Sequence, residues 1–172
     1  MLKLKPKKTE TETETRPIGR LPFAPFLLAA AALVGGTSAR AQEGMLSVPS
    51  PHDVATTIDR LEAVLEEKGM TVFARIDHAS GAEKADLSLP PTELLVFGNP
   101  RVGTPLMNCS RSIAIDLPQK MLAWHEASGE TRLGWNDPLW LKERHATSGC
   151  DAVFEKVGEA LEGFAAAAAA AD

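Results

Sequence analysis

None of the short spacings that mark metal or nucleotide sites occurs in this chain. CxxC, HxxxH and HExxH are missing, no GK[ST] follows a glycine-rich turn, and GxGxxG is absent. No metal set, P-loop or dinucleotide fingerprint is therefore legible, and no metal or cofactor is expected. Basic residues are scarce outside the N-terminus: residues 42–172 hold 11 Lys and Arg against 20 Asp and Glu. Such a body repels phosphate backbones, which excludes nucleic acid as a partner. Nor does any apolar run reach the roughly 20 residues of a membrane span. The main one, Leu21 to Gly36, is interrupted early by Pro22 and Pro25.

That run fits a secretory signal instead. A basic, Thr/Glu-rich stretch precedes it, and Ala39-Arg40-Ala41 gives the small-x-small pattern of a cleavage site. Cleavage after Ala41 is expected to remove residues 1–41 and send the remainder, beginning at Gln42, to the periplasm or the medium. No cysteine lies near the cleavage point to take a lipid, and no Arg-Arg pair marks twin-arginine export, so no stable membrane anchor is expected afterwards. Length allows one globular domain, residues 42–164, followed by an Ala-rich tail, 165–172, with nothing obvious to hold it.

Short alternating elements fill that domain. Met45 to Val48 reads as a strand, and Ser50-Pro51 offers a hydroxyl cap and a first-turn proline for a helix whose stripe is Val54, Ile58, Leu61 and Leu65. Residues 71–77 alternate as a second strand, and a short helix is expected within 79–87. Leu94 to Phe97 is uniformly apolar and reads as a strand buried on both faces. Thr104-Pro105, after Gly98 and Gly103, reads as the start of the next helix. Segments 121–125 and 131–135 form a hairpin across Ser128-Gly129, Asp137-Pro138 caps a helix to about His145, and Ser148 with Asp151 caps the last one. The order predicts a two-layer α/β domain of α+β type, a mixed sheet of roughly five strands with helices on one face.

Several fragments then carry a resemblance. Ile76 to His78 (IDH), Leu89 to Pro100 (LPPTELLVFGNP), Gly103 to Met107 (GTPLM), Asp116 to Pro118 (DLP), Asn136 to Pro138 (NDP) and Leu141 to His145 (LKERH) are similar to the DUF302 family, in the same order. The resemblance implies a compact two-layer α/β domain that pairs into homodimers. It brings no established catalytic residue, and Asn108-Cys109 stands where family members carry glutamine.

Two uses of the chain stay open. The first is a binding or accessory protein holding a small anionic ligand at Gly98, Asn99, Gly103 and Thr104, where glycine admits close approach and a helix start offers free N–H groups. The second is an enzyme in which His78 or His145 acts as acid or base with Asp77; the plainer reading has these side chains, and Arg144, serving turn backbone and a helix end. A purely structural dimer is a third. Met107 and Met121 read as core, and Trp124, Trp135 and Trp140 as core or dimer surface. The two cysteines, Cys109 and Cys150, are expected to form a disulfide in an oxidising compartment, the alternative being two buried thiols.

Overall fold

The computed structural model describes residues 43–172, so the expected signal segment and its cleavage site lie outside the described residues. Among the described residues there are five strands: β1 (Met45–Ser50), β2 (Thr71–Asp77), β3 (Thr92–Gly98), β4 (Gln119–His125) and β5 (Thr131–Asn136). Between and after them lie α1 (Val54–Glu67), α2 (His78–Glu83), α3 (Pro100–Cys109), a 3-10 helix (Arg111–Ile115), α4 (Pro138–Arg144) and α5 (Asp151–Ala168). The sheet runs β1-β5-β4-β3-β2. The two-layer, five-stranded α/β domain matches expectation, except that every pairing is antiparallel and the sheet is not mixed. The reason lies in α1, which carries the chain from β1 at one edge to β2 at the other, so no parallel neighbours arise.

Register divides the side chains into two faces. Arg75, Leu95, Met121, Trp135 and Leu46 pair across the sheet in one row, and Ile76, Leu94, Leu122, Gly134 and Ser47 in the next. The first face meets the helices. Ile58, Leu61 and Leu65 of α1 and Leu95, Phe97, Met121 and Leu133 of the sheet are fully buried there. β3 is therefore not buried on both faces: Leu95 and Phe97 are inside while Leu94 and Val96 are half-buried, because the helices supply only one covering layer. Gly134 is needed where it stands, since a Cβ would lie 2.9 Å from the Trp124 ring and 3.1 Å from the Leu46 carbonyl.

Besides the start of α3, three helix ends differ from the sequence reading. Asp53, not Ser50, caps α1, its carboxylate accepting from the Thr56 N–H at 2.7 Å; Ser50 instead bonds the Thr57 hydroxyl at 2.8 Å. Hydrogen bonding to the Thr56 backbone holds the exposed Asp53 carboxyl below its usual range. At α5 the Ser148–Asp151 pair does not form; Cys150 is the cap residue and Asp151 binds Lys142. The alanine tail is not loose. Ala165 and Ala168 are fully buried, and Arg60 donates to the carbonyls of Ala168 (3.0 Å) and Ala170 (2.9 Å). Small side chains let the end of α5 lie close to α1. Among the described residues no helix is long and apolar enough to cross a membrane.

Candidate functional site

The site begins where β3 ends. Asn99 caps α3, its Oδ1 accepting from the Arg101 N–H at 2.9 Å while Nδ2 donates to the Gly69 carbonyl at 3.3 Å. Pro100 occupies the first helical position. The stretch from Gly98 to Thr104 is thus not a loop before a helix: from Pro100 onward it is the helix, with Gly103 and Thr104 in its body and Pro105 inside it. A proline there removes one internal hydrogen bond. With only Leu106 buried, α3 is a lightly packed element.

Clefts lie on both sides of α3. One, of about 270 Å³, is lined by all four residues expected to bind ligand, Gly98, Asn99, Gly103 and Thr104, with apolar walls that include Met70, Phe73, Met107 and Leu117. Among the described residues no Lys, Arg or His lines it, so its lining is mainly apolar. The other, of about 400 Å³, lies against α5, with Phe97, Leu161 and Phe164 in its wall and Arg101 and Lys156 on its lining. Gln119 lines both clefts. Its side chain is on the helix-covered face of β4, in a residue only 8% exposed, and no hydrogen bond joins its amide to another described residue. The amide atoms themselves stay accessible from the clefts, since the one buried side-chain nitrogen or oxygen without a partner among the described residues is Trp135 Nε1, and a polar group so placed can bond a ligand. The sequence carries the signal, a lone polar residue at an inward position of the β4 alternation, but the strand starts two residues earlier than its apolar pattern suggests.

A polar cluster stands at the far end of the same region. The Asp116 carboxylate accepts from His145 Nε2 at 2.6 Å and from Arg144 Nη1 at 3.0 Å, and the Arg144 guanidinium lies 5.4 Å from the Trp140 ring centroid. His145 Nδ1 in turn meets the Ser112 hydroxyl at 2.8 Å. Asp116 and His145 therefore come together, whereas the pairing of Asp77 with His78 or His145 does not occur. Asp77 caps α2 by accepting from the Ser80 N–H at 2.8 Å. Next to Asp116, burial lowers the pKa of the Lys120 ammonium, which donates to the Asp116 carbonyl at 2.8 Å. Cys109 and Cys150 are joined, with Cα atoms 6.3 Å apart, so the end of α3 is tied to the start of α5. Among the described residues no three His, Cys, Asp or Glu side chains gather to hold a metal ion.

An antiparallel five-stranded sheet under one helical layer, with a short helix flanked by apolar clefts, defines a small two-layer α/β domain. The chain belongs to the family described as Domain of unknown function DUF302, whose model matches residues 46–164. Its fold is similar to that in the "Crystal structure of uncharacterized conserved protein DUF302 from Bacillus stearothermophilus", with TM-score 0.65 at 20% identity, covering 72% of this chain and 96% of that one. Curated relatives are named "Fluoride-specific ion channel FluC 1" in Brucella suis and "Fluoride-specific ion channel FluC 2" in Brucella melitensis. Each is 52% identical over 103 residues, 60% of this chain, and the chain spans only 41% and 38% of their lengths.

Proposed function

We propose that this DUF302 protein is a periplasmic or secreted binding or accessory protein, which holds a small, mainly apolar molecule with a hydroxyl or carbonyl group in the cleft beneath α3. The unbonded Gln119 amide carries the reading, because it offers a donor and an acceptor in a mainly apolar wall. The ligand class is accordingly neutral and amphiphilic in place of the anion suggested by the glycines. That a segment half-identical to this chain lies within longer proteins named as fluoride channels supports an accessory placement beside a membrane protein. Export through residues 1–41 is part of the same proposal.

Gly103 gives the test. A Cβ there meets nothing nearer than Leu117 Cδ1 at 3.9 Å, so α3 accepts a side chain that projects toward the cleft. Cyclohexanol and cyclohexanone are expected to raise the melting temperature of the wild type, since binding to the folded state stabilises it. Gly103→Trp should keep the fold and lose that increase. Equal stabilisation of both proteins, or none in the wild type, contradicts the assignment.

Homodimerisation is the second part of the proposal. The face away from α1 and α5 leaves Ile76 at 40% exposure in the same row as half-buried Leu94 and Leu122. An apolar sheet face of this kind is a frequent site of self-association. Light scattering at micromolar concentration is expected to give twice the monomer mass, and Ile76→Lys to halve it. A wild-type monomer refutes it.

A further inference from the structure

We propose that Ser112 is an activated nucleophile that takes the acyl group of small esters. The proposal concerns the relay at the end of α4 and is independent of the cleft ligand. Ser112 is exposed on the 3-10 helix, while the His145 side chain behind it is 6% exposed and that of Asp116 12%. The order of contacts is Ser112 Oγ to His145 Nδ1 at 2.8 Å, then His145 Nε2 to Asp116 at 2.6 Å.

Asp116 can only accept from these partners when ionised, and its second oxygen is held by Arg144 at 3.0 Å. This fixes the proton of a neutral His145 on Nε2 and leaves Nδ1 with its lone pair toward the serine. A nucleophile, a base and a group that orients the base thus stand in hydrogen-bond sequence. Relative to chymotrypsin-like triads the two ring nitrogens exchange places, which leaves the acid-base chemistry of imidazole unchanged. Asp116 and Arg144 are positioning residues. Ser110 Oγ lies 3.0 Å from Ser112 Oγ and can accept or donate there.

The step balances with water as the co-reactant. Ser112 Oγ attacks the ester carbonyl carbon as its proton passes to His145 Nδ1. The C–O bond to the alcohol then breaks, and the alcohol leaves with that proton, so Ser112 carries the acyl group. Water, giving a proton to Nδ1, attacks the acyl carbon; the carboxylic acid departs and the proton returns to Ser112.

A fluorophosphonate probe tests this on the folded, disulfide-bonded protein, with the adduct located by mass spectrometry. The expected result is an adduct on Ser112 that disappears in concentrated urea and is absent in Ser112→Ala. His145→Gln is expected to slow labelling about 100-fold or more. No adduct on Ser112 in the folded protein, or equal labelling when unfolded, overturns the proposal. A folded His145→Gln that labels at the wild-type rate overturns it too. Should His145→Gln fail to fold, the comparison of folded with unfolded wild type decides.

Discussion

Replacing Cys109 with serine, or reducing the Cys109–Cys150 bond, is expected to lower the stability of the domain by about 4 kcal/mol. The bond spans 41 positions, and the chain-entropy model converts a loop of that size into about 4 kcal/mol removed from the unfolded ensemble's advantage. For a domain of this length the loss corresponds to roughly 10–20 °C in Tm. Denaturant titration of oxidised and reduced protein measures it directly. The effect is also local, because Cys109 ends α3 and Cys150 opens α5, and the two stretches bracket Ser112 and His145. Little else holds α3, of which only Leu106 is buried. Reduction should therefore raise amide hydrogen exchange in α3 more than in α1. Stability that is unchanged by reductant would show that packing alone fixes α3.

Phe97→Ala is expected to be comparably damaging, at about 3–5 kcal/mol. The ring is fully buried, lies edge-on to Phe164 with centroids 6.2 Å apart, and joins β3 to α5 at the wall of the larger cleft. Truncation loses the transfer free energy of the ring and opens a void that α5 must partly fill. Phe73→Ala, three strand-lengths of sequence earlier and 55% exposed, should change stability by only about 0.5 kcal/mol. It should instead weaken ligand binding, since Phe73 lines the smaller cleft. Chemical denaturation curves for the two variants separate core from site. Equal losses would mean that Phe73 is packed in solution.

Much of this arrangement is legible from the residues, and the failures have physical causes. The stripe Val54, Ile58, Leu61, Leu65 fixes α1 because its spacing suits only a helix with one covered face. The hairpin turn is equally plain, with Gly129 at φ +92°. The start of α3 is not, because Asn99-Pro100 and Thr104-Pro105 offer the same signal of a capping side chain followed by proline. What separates them is tertiary: the Asn99 amide also reaches the Gly69 carbonyl at the end of α1. Strand direction was beyond the pattern, since alternation records burial and not polarity. The tail misleads for a related reason, because alanine's helix propensity says nothing of Arg60, 108 positions away, donating to its carbonyls. The relay depends on contacts 29 and 33 positions apart. His145 is legible as an acid or base and Arg144 as a helix-end cation, Asp116 only through a fragment shared with DUF302, and Ser112 gives no signal.

The central claim, a ligand cleft beneath α3 with Gln119 in its wall, is tested most directly by titrating 15N-labelled protein with cyclohexanone and following its NMR spectrum. Saturable shifts are expected at the backbone amides of Gly98, Gly103 and Thr104 and at the side-chain amide of Gln119, with Gly81 in α2 unmoved. Shifts that fail to saturate, or that leave the Gln119 side chain unchanged while other regions respond, would contradict it.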